Sequence, residues 1–189
     1  SDTPFFVNIC KYANGFRIFY FQGGFDTPNH DLRHLGIDTS LAVTYSPTTI
    51  LSAASGKSIL SVAAISDNTN TYVFYNTANQ TSLTGVITSS PDNGDTYTTL
   101  YATTILDSNN SVVTSQTDIL TSGLIQTKPY ILANNIYIGV CKVYGQGYAT
   151  QNSTFYLINI NPSTLYKNIV GVSKYLNYVP SLGFNSLKD

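Results

Sequence analysis

The chain has 189 residues, of which 42% are hydrophobic, enough to bury a core. Its 9 basic and 10 acidic residues leave a formal net charge of −1. The cations are scattered and the pI is near 6.0, which argues against the clustered positive charge that nucleic acid or an anionic membrane surface requires. Glu, Met and Trp are absent and Tyr, Thr, Val, Ile and Phe abound, so the composition disfavours amphipathic helices and suits pleated, half-buried sheets.

In chain order, the first strand-like run is Phe5 to Ile9, followed by the turn dipeptide Asn14-Gly15 and the run Phe16 to Phe21, closed by Gly23-Gly24. Leu41 to Tyr45 ends at Ser46-Pro47. Ile59 to Ile65 leads through Asp67-Asn68-Thr69-Asn70 into Tyr72 to Tyr75. Ser82 to Thr88 ends at Pro91-Asp92-Asn93-Gly94. Tyr97 to Leu106 leads through Asp107-Ser108-Asn109-Asn110 into Ser111 to Thr114. Tyr130 to Leu132, Ile136 to Val143 and Thr154 to Ile160 complete the strands. One helix is expected near the C-terminus: Asn161 as its cap, Pro162 in its first turn, then Leu165, Ile169, Val172 and Leu176 at helical spacing. A strand pair is the alternative there. The expected fold is a single all-β domain over residues 1–189, a β-propeller-like or β-sandwich arrangement of many short antiparallel strands with that one C-terminal helix.

No run of about 18 apolar residues occurs, so no membrane insertion is expected. Ser1-Asp2-Thr3-Pro4 lacks a basic start leading into an apolar block, so no attached signal peptide is expected. Cys10 and Cys141 are read as a disulfide in an oxidising compartment, with two buried thiols as the alternative. Asn79, Asn109 and Asn152 each begin an N-x-S/T sequon beside turn-like residues, which points to glycosylation outside the cell.

Three units look alike. Phe16 to Gln22 is followed by a turn and Asp31-Leu32-Arg33-His34. Ser61 to Ile65 is followed by a turn, Tyr72 to Asn76, and Ser82 to Gly85. Ile131 and Ile136 to Val140 are followed by Thr154 to Leu157. Their period is roughly 50 to 65 residues, longer than the roughly 40 to 50 of a four-stranded propeller blade. The units resemble blades of the fungal fucose-binding β-propeller lectins. Ser61 to Ile65 looks like that family's first strand, Arg17 to Gln22 its second, and Leu32-Arg33-His34 its third. The family grips its sugar with an Arg, a Glu and a Trp or Tyr platform. The resemblance makes Arg17 the Arg and puts His34 in the place of the Glu. In the second unit it puts Thr71 and Gly85 at those two places.

Catalytic constellations are not supplied. His30 and His34 frame His-Asp-Leu-Arg-His in a β context, where the two side chains share a face, farther apart than on a zinc-binding helix, with Asp26 or Asp38 as a third ligand; a solvated loop or strand end is the plainer reading. No G-x-S-x-G elbow occurs, and Gly56-Lys57-Ser58 lacks the upstream glycine of a phosphate loop because Leu51 stands there. Without Glu, paired-carboxylate chemistry falls to turn Asp residues such as Asp67, Asp92 and Asp95, which in turns bond their own backbone. The expectation is therefore an extracellular or surface carbohydrate-binding protein with no enzyme activity, cofactor or metal. Its partner would be a glycan or glycoconjugate, held by Arg17, Tyr20, Arg33, His34, Tyr72 and Tyr75. Homo-oligomerisation accompanies that reading. The alternative is a structural subunit of a coat, capsid or filament that assembles through β-strand contacts.

Overall fold

The structure, a computed structural model, describes residues 5–12, 15–22, 31–52, 57–79, 98–121, 123–125, 127–144 and 152–176. These residues form thirteen strands in three antiparallel sheets. Sheet one is β1 (Phe5–Tyr12), β2 (Gly15–Gln22), β3 (Asp31–Asp38) and β4 (Val43–Ser52). Sheet two is β5 (Lys57–Ser66), β6 (Asn70–Asn79), β7 (Thr98–Leu106) and β8 (Val112–Thr121). Sheet three is β9 (Gly123–Ile125), β10 (Tyr130–Leu132), β11 (Asn135–Tyr144), β12 (Asn152–Ile160) and β13 (Lys167–Leu176). In sheets one and two, spatial order follows chain order, the up-and-down meander of a propeller blade. In sheet three the first position is shared, because β9 and β10 both pair with β11. Pro129 has no N–H to give a ladder and falls between them. Thr127 bridges the break: its hydroxyl accepts the Gly139 N–H at 2.8 Å.

The chain is thus all-β and propeller-like, with the sheets packed face to face. β1 lies against β5, and β9 against β5, β6 and β7, so the first strands converge on one side. Alternation along each strand sends one set of side chains to each face. In β2, Arg17, Phe19 and Phe21 point into the molecule and alternate with less buried neighbours. They join Cys10 and Leu32 and meet Val73, Tyr75 and Ile105 of sheet two. The opposite face of sheet two carries Tyr72, Phe74, Leu100 and Ala102. It meets Ile136, Ile138, Val140, Ile158 and Ile160 of sheet three. Sheet two is therefore buried on both faces, which is why Thr71 to Thr77 is an unbroken buried run.

The turns repeat as well. The first hairpin of sheet one pairs Tyr12 with Gly15, and that of sheet three pairs Leu132 with Asn135. In sheet two, Asp67 N–H donates to the Asn70 carbonyl at 3.1 Å. Asn68, Ala133 and Asn134 have φ of 70°, 47° and 60°, the left-handed geometry of two-residue hairpins. Gly15 starts β2 rather than centring the turn; a Cβ there would lie 2.1 Å from the Ile37 carbonyl oxygen, so only glycine admits the approach of β3. These turns align the repeats: Arg17, Tyr72 and Tyr137 are equivalent, as are Phe19, Phe74 and Gly139. Tyr72, not Thr71, therefore stands at the Arg17 position. His34 pairs with Phe19 as Ala102 pairs with Phe74, so Ala102 is the counterpart of His34; Gly85 lies outside the described residues.

Several expectations change. The C-terminal helix is absent: Lys167–Leu176 is β13, paired with β12. Asn161 Oδ1 does accept the Ser163 and Thr164 N–H groups, at 2.9 and 3.2 Å, as a cap would. The turn then closes through Leu165 at φ 54°, and the β-branched Ile169, Val170 and Val172 continue as a strand beside β12. Leu165 is buried between sheets two and three, which offsets its backbone strain. Strand β4 runs through Pro47, tolerated because β4 is an edge strand and the register slips there. Cys10 and Cys141 form no disulfide. Cys10 is buried between sheets one and two, whereas Cys141 sits in sheet three, with sheet two intervening. The expected strand Ser82 to Thr88, the turn Pro91 to Gly94 and His30 lie outside the described residues. Among the described residues no helix is long and apolar enough to cross a membrane.

Candidate functional site

Two places between the sheets gather polar side chains, and they are repeats of each other. The first lies between sheets one and two. Arg17 is wholly buried, and one guanidinium nitrogen donates to Asp107 Oδ1 and Asn110 Oδ1, each at 3.1 Å. Its other terminal nitrogen donates to His34 Nδ1 at 3.0 Å, which places the imidazole proton on Nε2. Tyr45 hydroxyl also donates to Nδ1, at 3.0 Å. Asp107 accepts two further bonds of 2.6 Å, from the Thr71 and Ser66 hydroxyls. Tyr12 and Tyr45 face the guanidinium with ring centroids at 4.7 and 5.4 Å, a cation–π cage. Burial and the Arg17 charge push the His34 pKa down to about 3, so the ring is neutral. Burial, with Asp107 nearby, pushes the Cys10 thiol up to about 11. Among the described residues, Arg17 Nε and His34 Nε2 find no hydrogen-bond partner. Both terminal nitrogens of the Arg17 cation are bonded by protein groups, so the chemistry of the cluster is that of a clasp between sheets.

The second place lies between sheets two and three. Here Tyr72 replaces Arg17, and Pro162 stands at the turn position that Asp107 occupies in sheet two. With no ion pair to fill it, the space stays open as a pocket of about 290 Å³. Asp67, Thr69, Asn70, Asn134 and Ser163 supply its polar lining, and Tyr72, Ile131, Ile136 and Pro162 the apolar part. Asp67 Oδ1 accepts the Thr69 and Asn70 N–H groups at 2.8 and 2.7 Å, and Oδ2 accepts the Tyr72 hydroxyl at 2.9 Å. Asn70 Nδ2 approaches the same hydroxyl at 3.4 Å. Burial and the Asp67 carboxylate raise the Tyr72 pKa to about 12. Asp67 Oδ1 is filled by its two N–H donors, whereas Oδ2 accepts one bond and has lone-pair capacity left for a ligand donor.

The six residues expected to bind ligand are not gathered into one patch. Arg17 and His34 meet, but inside the first cluster. Tyr20 and Arg33 are cross-strand partners on the opposite face of sheet one. Arg33 reaches Gln22 Oε1 and the Pro47 carbonyl. Tyr75 is buried against Tyr101, ring centroids 5.8 Å apart. Tyr72 alone lines the pocket. Asn134 and Ser163 were not singled out, and Asp67 and Asn70 were read only as turn residues; only stacking reveals that turns from different sheets face each other. Asn109 is exposed in the β7–β8 turn, where its Oδ1 accepts the Ser111 N–H at 3.0 Å; the side chains of Asn79 and Asn152 lie outside the described residues. Compared with known proteins, the chain matches no family model and no curated sequence.

Proposed function

We propose that the chain is a lectin-like protein that binds a neutral carbohydrate in the pocket between sheets two and three, without catalytic chemistry. The observation that carries this reading is the lining of that pocket. A sugar needs an apolar wall for its C–H face and a ring of donors and acceptors for its hydroxyls. Tyr72, Ile131, Ile136 and Pro162 are suited to the first role, and Asp67, Asn70, Asn134 and Ser163 to the second. The volume is near the roughly 300 Å³ lower end of small-ligand sites, which suits one sugar residue or the end of a glycan. The described lining holds one carboxylate and no cation, so phosphorylated and acidic sugars are disfavoured. It holds no Cys, His or Lys to act as nucleophile or base. The extracellular or surface placement rests on the low charge and the three sequons.

The test is an array of neutral and acidic glycans, followed by calorimetry on the best neutral binder. Asp67→Asn preserves the turn bonds while removing the charge. It is expected to weaken binding by about 10- to 100-fold, the loss of one charged hydrogen bond. Tyr72→Phe should weaken it less, and Arg33→Ala should leave it unchanged. A glycan bound with the same affinity by wild type, Asp67→Asn and Tyr72→Phe would refute this site. Absence of binding to every glycan would refute the function.

A further inference from the structure

Two acceptor atoms stand side by side in the pocket between sheets two and three, and the bonds they already make fix how each meets a ligand. Asp67 Oδ1 is occupied by the Thr69 and Asn70 N–H groups, at 2.8 and 2.7 Å. Oδ2 takes the Tyr72 hydroxyl proton at 2.9 Å and keeps a lone pair. The phenol has given its one proton to Oδ2, so toward a ligand its oxygen accepts and does not donate. Asn70 Nδ2 lies 3.4 Å from the phenol oxygen, and its second N–H is a donor beside the pair. The turn holds this row of groups in place. Asp67 N–H donates to the Asn70 carbonyl at 3.1 Å. Ser66 Oγ accepts the Asn68 N–H at 2.8 Å and donates to Asp107 Oδ2 at 2.6 Å, which ties the turn to the Arg17 clasp. Tyr72 is only 3% exposed on β6, so packing fixes its ring. A site ordered before its ligand arrives loses little freedom on binding.

We infer that the pocket recognises a vicinal diol: two hydroxyls on adjacent ring carbons, held gauche, the first donating to Asp67 Oδ2 and the second to the Tyr72 oxygen. The inference rests on the carbohydrate reading of this pocket and names the part of the sugar that the pocket takes. Gauche vicinal oxygens stand about one hydrogen-bond length apart, roughly 2.8 Å, which matches the 2.9 Å between the two acceptors. The second hydroxyl accepts the Asn70 N–H as it donates to the phenol. Trans-diaxial hydroxyls point to opposite sides of the ring and cannot reach both acceptors. A methyl ether at either position has no proton to give. Ile131, Ile136 and Pro162 supply the apolar surface for the carbons behind the diol.

The test is calorimetry with the methyl glycosides of glucose, galactose, mannose and fucose, then with each monodeoxy and monodeoxyfluoro derivative of the tightest binder. Two adjacent positions are expected to matter. Deoxygenation at one should weaken binding about 10- to 100-fold, the loss of a bond to a carboxylate, and at the other about 3- to 10-fold. Fluorine does not donate, so each fluoro derivative should be as weak as the deoxy one. Asp67→Asn keeps Oδ1 on the turn and puts an N–H group in place of Oδ2. In that variant the first deoxygenation should cost less than about threefold more, and in Tyr72→Phe the second should cost as little. Unchanged far-ultraviolet circular dichroism establishes that both variants are folded. If none of the four glycosides binds, the carbohydrate reading falls and this inference with it. Binding indifferent to both variants lies elsewhere and overturns both as well. Binding that Asp67→Asn weakens leaves the pocket a sugar site, but overturns the vicinal diol if it depends on one hydroxyl, on two non-adjacent ones, or on hydroxyls that fluorine replaces without loss.

Discussion

The Arg17–Asp107 clasp makes a sharp energetic prediction, because it is a buried ion pair joining two sheets. Replacing Asp107 with Ala removes the only carboxylate among the described residues that touches the guanidinium and takes an acceptor from Ser66 and Thr71. Arg17 has no route to water, since its side chain is fully buried. Removing one partner of such a pair costs about 3–5 kcal/mol, because an uncompensated charge stays inside. For a chain of this size about 1 kcal/mol shifts the unfolding midpoint by about 2–4 °C, so Asp107→Ala should lower it by about 6 to 20 °C. The double variant Arg17→Met with Asp107→Leu removes the charge as well as its partner and should be more stable than Asp107→Ala alone. The assay is thermal unfolding followed by circular dichroism, at low and high salt. A buried pair is weakly screened, so the cost should be the same in both. A midpoint within about 3 °C of wild type, or a double variant less stable than the single, would refute the reasoning.

Two further outcomes follow from the same cluster and the thiols. His34 has its pKa lowered from 6.5 to about 3, so the unfolded chain binds more protons between those values. Stability from the neutral ring is complete above pH 6.5 and declines as pH falls toward 3, by about 1.4 kcal/mol per pH unit. Urea unfolding of wild type against His34→Phe across that window should show the slope reduced by about that amount; parallel profiles would count against it. Cys10 and Cys141 are both buried and unbridged, so neither should react with iodoacetamide in the native protein. Both should react in denaturant without any reductant, read as mass added, and blocked thiols under those conditions would mean a disulfide.

Strand positions were largely legible because they are local: alternation of apolar and polar residues, and the turn residues Asn, Asp, Gly and Pro, act over a few positions. That is why β2, β6, β11 and β12 fall where the sequence places them. The repeats were visible for the same reason, but the sequence set Thr71 opposite Arg17, one residue out of the register that the turns fix with Tyr72. Errors arose where one sequence fits two periods. Leu165, Ile169 and Val172 satisfy a helix as well as a strand, and the unpaired edge of β12 decided for the strand. Pro47 marked an end that an edge strand did not need.

The candidate sites were decided by tertiary structure. Composition and pattern alone determined an all-β chain of repeated, low-charge units, because hydrophobic alternation and turn chemistry need no distant partner. They did not determine which faces meet. Asp107 reaches Arg17 across a long span of chain, and Asp67 faces Ser163 only because sheets two and three stack. Between equivalent places, Tyr72 for Arg17, Pro162 for Asp107 and Ala102 for His34 accompany the change from an ion-pair clasp to an open pocket. The reason is that burying a charge demands a partner and so fills the space, whereas a phenol bonded to its own turn leaves the space free.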